Sequence, residues 1–386
     1  MLKRQYKIFA IMFCIVLFFF GVLGDYKLQR YYVYDELDYN EWTVDSGDKL
    51  ESEYASNFYK KMQFVNLQGL TSKVLGQHKL NGVVKMKNGY LMQEMMLADD
   101  AVLESNAEAV KELENYISQW DGKLLYVTVP YIVDKYDPQL PAEVSDNGNK
   151  NLDTMRKDIE ALNIPSLDLR EAIHDTGISQ YNLWYKTDHH WSTRGGFFAY
   201  TLIAKYLQDN GWAEIDEKVC NLDNYTITTY PKWHLGSNGQ RTGIYYAGID
   251  DFDLILPNFD TSIENLNKGI IGKFQDVCID TTELSNRNYE SRYTYDHVMG
   301  VSGGNFNNSQ AQSDKKVLVI GDSMSSAVCP YIILSFQEMR YLGNWVTPVL
   351  SKDFLDEYQP DIVIMMYYPN RIISTEGYTF QLNQWK

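Results

Sequence analysis

The sequence predicts an α/β fold from three features. Helical apolar spacing over residues 101–120 gives way to the strand-like run KLLYVTVP, VLVIG ends at Gly321 ahead of a candidate helix, and DIVIMMY supplies a further buried strand. A chain of 386 residues with 45% hydrophobic content is long enough to bury a sizeable core, which sets disordered and fibrous architectures aside.

From the N-terminus, Lys3, Arg4 and Lys7 precede an uncharged apolar run over residues 8–24. At 1.5 Å per residue the run is just long enough to cross a hydrocarbon layer, and the preceding positive charge favours a cytoplasmic N-terminus. The expectation is a single-pass cell-membrane protein with its catalytic part outside the cytoplasm, or a secreted one if the run is a cleaved signal. A buried core helix is the third reading. Residues 1–24 are thus expected to be an anchor or signal, 25–50 a stalk, and 51–386 a catalytic domain carrying an insertion at about 211–310.

Within that domain, Tyr54, Phe58, Met62 and Leu67 have helical spacing. Two Asn-Gly turns, at Asn81-Gly82 and Asn88-Gly89, flank VVKM as a hairpin or short strand pair. Leu103, Ala107, Val110, Leu113 and Ile117 share one face of the next helix. Residues 155–162 read as a helix and 164–169 as a strand. Ser192 is placed to cap a helix over 193–207, with Phe197, Tyr200, Ala204 and Leu207 facing inward. Residues 211–308, rich in Asn, Asp, Tyr and Gly, read as an insertion with short β-prone pieces such as YTITTY. The α/β pattern returns with a strand at 315–320, a helix at 325–339 and a last strand ending at Tyr367.

A formal charge of −16 repels nucleic acid and anionic lipid, which weighs against a nucleic-acid function. The cysteines are Cys14, Cys220, Cys278 and Cys329. Cys220 and Cys278 form a candidate disulfide, and Cys329 reads as a buried thiol behind the helix after Ser323. CxxC, HExxH and HxH patterns are absent, as are a GxxxxGK[ST] phosphate loop and a GxSxG elbow. No metal and no cofactor is expected, and nucleotide hydrolysis is set aside.

Ser323 follows a strand-like run at the place where open α/β sheets bind ligands. Gly321 lets the backbone turn, and the amides of Ser323 and its successors are candidate oxyanion donors. The competing reading is a serine that only caps the following helix. YKTDHHWSTRGG supplies what a nucleophilic serine needs, an imidazole to take its proton and a carboxylate to fix the tautomer. Residues two apart in an extended segment point the same way, which pairs Asp188 with His190 and turns His189 away. A rival pairing sets His189 against Asp322 or another carboxylate, and a metal reading of Asp188, His189 and His190 lacks locatable further ligands. Trp191 reads as a packing residue that fixes the loop. Tyr185, Lys186 and Arg194 are auxiliary candidates for substrate or a solvated rim, and Asp322 for a second acid or a turn hydrogen bond. His78, His174, His234 and His297 sit in no motif and read as surface or core residues.

Taken together, TDHHW at residues 187–191 and GDS at 321–323 resemble the DHHW family of SGNH-hydrolase-like proteins, relatives of the alginate O-acetyltransferases. NGVVKMKNGYLM, VPYIVDKYDPQLP and GSNGQRTG also resemble its recurring blocks, so the likeness runs from about residue 51 to 371. It implies a three-layer α/β/α sandwich with permuted motif order, the Asp/His block preceding the serine block. Ser323 would be the nucleophile, His190 the base and Asp188 the orienting acid. Asn370 and Gly236 are candidates for the rest of the oxyanion hole. The chemistry implied is acetyl transfer to an exported polysaccharide or cell-wall glycan, with a multi-pass membrane acyltransferase as the partner supplying acetyl groups. A carbohydrate O-acetyl esterase and a non-catalytic glycan-binding or assembly protein are the alternatives.

Overall fold

The computed structural model describes residues 60–280, 303–343 and 350–382, together with 10–15, 18, 282, 284, 285, 289 and 301. A first helix, α1 (Lys61–Val74), precedes a small antiparallel sheet of β1 (Lys79–Leu80), β2 (Val83–Lys85) and β3 (Leu91–Gln93). Asn81 and Gly82 join β1 to β2, both with positive φ (50° and 74°), the backbone that makes Asn-Gly a preferred two-residue hairpin turn.

The main sheet begins after α2 (Asp100–Ile117), whose five expected inner residues, Leu103, Ala107, Val110, Leu113 and Ile117, are all buried. Next come β4 (Lys123–Thr128), α3 (Asn147–Ala161), β5 (Ser166–Asp168) and α4 (Leu169–Asp175). Helix α3 starts well before residue 155 because Asp146 caps it, accepting from the Asn149 amide. Asp168 likewise accepts from the Arg170 amide, starting α4 where a longer strand was expected. Helix α5 (Thr193–Asp209) begins at Ser192, whose hydroxyl accepts from the Gly195 amide at 3.1 Å. Replacing this cap, Ser192→Ala, is expected to lower stability by about 1 kcal/mol in denaturant unfolding; an unchanged midpoint would count against the cap.

A long hairpin of β6 (Tyr225–His234) and β7 (Asp250–Pro257) follows, with the short helix α6 (Ser237–Thr242) between its strands. Then come β8 (Ile263–Asn265), β9 (Ile270–Gly272), β10 (Gly304–Asn307), β11 (Ser313–Gly321), α7 (Cys329–Ser335), β12 (Phe336–Leu342), α8 (Lys352–Tyr358) and β13 (Ile362–Tyr367). The central sheet has the order β5-β4-β13-β11-β12-β10-β8-β9; the first five strands are parallel and the last three add on antiparallel. Val317 to Ile320 of β11 and all six residues of β13 are buried, the continuous apolar run of a strand covered on both faces. The fold is therefore a mixed α/β one around a mostly parallel sheet. Its central strand, β11, delivers Ser323 just past its carboxyl end.

Several expectations are corrected. Among the described residues no helix is long and apolar enough to cross a membrane. Within residues 8–24 the described residues are 10–15 and Phe18, which are helical. Apart from Phe18, the rest of that run lies outside the described residues, as does the expected stalk. The single-pass membrane localisation thus has no span behind it. Of the four residues at helical spacing, Tyr54 and Phe58 lie outside the described residues, while Met62 and Leu67 are on α1, where Leu67 is 60% exposed. That helix packs through Gly69, where a Cβ would lie 2.1 Å from the Thr242 carbonyl oxygen.

The helix expected over 325–339 stops at Ser335. Phe336, Met339 and Tyr341 are instead buried in β12, which pairs with β11 and β10; long-range pairing overrides local spacing there. Strands β8, β9 and β10, from the stretch expected as an insertion, extend the central sheet. The Cys220–Cys278 disulfide is not formed. Cys220 lies 3.4 Å from the Tyr200 hydroxyl, and Cys278 and Cys329 are buried free thiols.

Candidate active site

The residues after β11 form a tight turn rather than an immediate helix. Asp322 organises it: its Oδ1 accepts from the Met324 amide at 3.0 Å and its carbonyl from the Ser325 amide and hydroxyl, while Oδ2 accepts from the Tyr368 amide at 2.8 Å. These bonds tie the turn to the loop after neighbouring β13. The strand must end in glycine here, because a Cβ on Gly321 would lie 2.3 Å from Ser325 Oγ and 2.8 Å from the Met366 carbonyl oxygen. Burial raises the Asp322 carboxyl above its ordinary value, against the two amide donors. Asp322 is a structural acceptor, and the pairing with His189 is not made. The amides of Met324, Ser325 and Ser326 are spent inside the turn, which removes Ser323's successors as oxyanion donors.

Ser323 itself is half-buried, and its Oγ lies 2.7 Å from His190 Nε2. His190 Nδ1 lies 3.2 Å from Asp188 Oδ1. The expected serine, histidine and aspartate are therefore joined in one hydrogen-bonded series across 133 residues of sequence. The DHHW segment is positioned by an isolated antiparallel bridge between Trp184 and Trp191 and by the Ser192 amide donating to the Leu183 carbonyl. Trp191 is fully buried, and its indole N–H donates to the Met324 carbonyl at 3.0 Å, joining the histidine loop directly to the serine turn. It packs and fixes the loop, as its place beside the histidines suggested.

The segment bends between Lys186 and His190 instead of running extended, and His189 is consequently not turned away. Its Nδ1 lies 2.9 Å from Ser237 Oγ and 3.0 Å from Asp188 Oδ1, and its ring centre is 3.8 Å from that of His190. Burial lowers the His189 pKa from its ordinary value, more than Asp188 raises it. Asp188, His189 and His190 could hold a metal ion by proximity, the arrangement the sequence left open. The atoms that would do so already hydrogen-bond to one another, to Ser237 or to Ser323.

Asp188 is buried and heavily supported. Oδ1 accepts from the His189 amide at 2.7 Å and the Ser237 hydroxyl at 3.0 Å as well as from His190, and Oδ2 faces His234 Nε2 at 3.0 Å. Burial alone would raise its carboxyl; the charge of His190 and hydrogen bonds from His189, His190 and His234 win and hold it well below the usual carboxylate range. The scaffold beneath it is the segment 234–239. Gly236 donates its amide to Thr187 Oγ1 at 2.9 Å and Gly239 to the Thr187 carbonyl at 2.8 Å, while Asp250 accepts from the Lys186 amide and from the Thr187 amide and hydroxyl. Gly236 therefore supports the acid and is not an oxyanion donor. Sequence reasoning missed His234 and Ser237; the GSNG string was the one signal near them.

The other candidates lie apart. Tyr185 is buried with its ring 4.3 Å from that of His234. Lys186 sits over the Tyr90 ring, and Arg194 pairs with Asp253 at the surface. Asn370 is exposed in the loop after β13. A cleft of about 830 Å³, lined by Trp212, Glu214, Ser313 and Lys315, opens at the start of β11, the end opposite Ser323, and contributes nothing to the site.

A mostly parallel sheet whose central strand ends in a serine, with an imidazole and a carboxylate beside it, has the plan of an SGNH-hydrolase-like protein. Family models agree: residues 87–231 match the SGNH hydrolase-like domain of acetyltransferase AlgX, and residues 169–342 match the DHHW protein family. The resemblance to the DHHW family carried by TDHHW and GDS is borne out. Among solved structures, PatB1 of Bacillus cereus is 19% identical with a TM-score of 0.61, covering 77% of this chain and 99% of its own. A DHHW family protein from Eubacterium siraeum is 15% identical with a TM-score of 0.60, covering 79% of this chain and 98% of its own. At such identities the likeness is one of fold. No curated protein matches the chain.

Proposed function

We propose that the chain is a serine-dependent O-acetyltransferase acting on a polysaccharide, built on a three-layer α/β/α sandwich with permuted motif order. The observation that carries the reading is the series Ser323 Oγ to His190 Nε2 to Asp188 at the carboxyl end of the central strand. With Asp188 ionised, His190 donates its Nδ1–H to the carboxylate and leaves Nε2 free to take the serine proton. Ser323 Oγ then attacks the acetyl carbonyl of the donor, and the Ser323 amide is the proposed oxyanion donor. The tetrahedral intermediate collapses to acetyl-Ser323 as His190 returns its proton to the leaving alcohol. A glycan hydroxyl next gives its proton to His190 and attacks the acetyl-serine; the bond to Ser323 Oγ then breaks as His190 returns that proton to it, regenerating Ser323 and releasing acetylated glycan.

The match to an acetyltransferase family model favours a sugar hydroxyl over water as acceptor. A multi-pass acyltransferase remains the proposed source of the acetyl donor.

Intact-mass analysis of protein mixed with p-nitrophenyl acetate, with and without glycans, tests this directly. An acetyl adduct on Ser323 that moves to a glycan is expected, and Ser323→Ala should abolish the adduct and lower turnover by more than about 10³-fold. An adduct released only as free acetate would point to an esterase, and no adduct in folded protein with several donors would sink both enzymatic readings.

A further inference from the structure

We infer that His234 is a positioning residue for the reaction, acting on His190 through Asp188. The inference rests on the Ser323–His190–Asp188 reading and goes one residue beyond it.

A buried histidine outside any motif is ordinarily a core residue satisfied by whatever lies nearby. Two facts set His234 apart. The first is its partner: Nε2 lies 3.0 Å from Oδ2 of the carboxylate whose other oxygen faces His190, and both His234 and Asp188 are buried. Oδ1 is shared among His190, the His189 amide and the Ser237 hydroxyl, so the contact to Oδ2 fixes the second end of the carboxylate plane. With a proton on Nε2, His234 donates to Oδ2 and leaves Oδ1 to face His190.

The second fact is the mounting. His234 closes β6 and pairs in register with Asp250 on β7, and Asp250 also accepts from the amides of Lys186 and Thr187. One rung of the β6–β7 hairpin thus holds the backbone entering Asp188 and, through His234, its side chain. Tyr185, itself buried, packs its ring 4.3 Å from the His234 ring and limits its rotation. With an apolar residue at 234, Oδ2 would lose this donor where water does not readily replace it, and the carboxylate could turn about its Cβ–Cγ bond away from His190.

The test uses the full chain and p-nitrophenyl acetate. His234→Phe is expected to lower kcat on the order of 10- to 100-fold with KM nearly unchanged, the size seen when a group orienting a reactive side chain is removed. His234→Gln, whose amide N–H can reach toward the same oxygen, should recover most of that loss. Because the effect passes through Asp188, adding His234→Phe to Asp188→Asn should cost little more than Asp188→Asn alone. Independently of folding in the variants, NMR of the wild-type protein should show the His234 ring proton on Nε2, with a resonance that shifts in Asp188→Asn.

An unchanged kcat for His234→Phe, losses that multiply independently of Asp188, or a ring proton on Nδ1 would each overturn the inference while leaving the reaction intact, provided Ser323→Ala is inactive. Full turnover by Ser323→Ala would instead remove the underlying reading, and this inference with it.

Discussion

Asp188→Asn is expected to lower turnover of an acetyl ester by roughly 10³- to 10⁴-fold while leaving the fold in place, the effect of removing the charge that stabilises the imidazolium. The His189 amide and the Ser237 hydroxyl both donate to Oδ1, so an asparagine places its carbonyl there to satisfy them and its NH₂ toward His234. His234 must then present a lone pair, and His190 faces an oxygen that no longer carries charge. The imidazolium formed when Ser323 loses its proton is left without its counter-ion. A loss below tenfold would show that Asp188 does not orient the base.

The same substitution should change how stability depends on pH. The folded pKa of Asp188 lies well below its unfolded value near 3.8, so its contribution is fully present above that value and is lost as pH falls through the folded one. His189 acts in the same direction at higher pH. Its folded pKa is below 6.5, so the unfolded chain binds the extra proton first and stability declines from about pH 6.5 down to the lowered value. Thermal unfolding from pH 7 to 2 should show both losses in the wild type, and Asp188→Asn should lack the more acidic one.

Gly236→Ala is the second large expected effect. At φ −68° and ψ 176° the backbone of Gly236 suits any residue, so the requirement for glycine is one of space alone. A Cβ there would lie 2.3 Å from Asp188 Cβ and 2.6 Å from the Thr187 carbonyl oxygen. Something must move by about 1 Å, and what adjoins is the acid and its backbone, where displacement of that size costs on the order of 100-fold in rate. Overpacking should also lower stability by about 1–3 kcal/mol. Kinetics and unfolding on one preparation would check both, and a variant as active as the wild type would show that the segment under Asp188 yields freely.

The pattern of what the sequence revealed follows from the range over which residues speak to one another. Ser323 could be placed because a run of buried strand residues ends in a glycine turn, and His190 with Asp188 because they are close in sequence. Ser192 could be placed because caps are local. His189 was misjudged because the rule of divergent neighbours holds for extended chain, and the segment bends. His234 was passed over because its partner is 46 residues away and nothing in KWHLG announces the encounter. The same limit hid β8 to β10. Strands of three or four residues carry too little alternation to be seen, and their existence depends on finding β12.

The order of strands across the sheet also fixes when the site can exist during synthesis. Asp188 and His190 precede β13 in the chain, but β4 and β5 meet the rest of the parallel sheet only through β13. Until β13 slots between β4 and β11, the serine turn lacks the Tyr368 amide that anchors Asp322. A ribosome-bound chain halted before residue 360 therefore carries Ser323, His190 and Asp188 but lacks both the strand beside β11 and the Tyr368 amide that seats the serine turn.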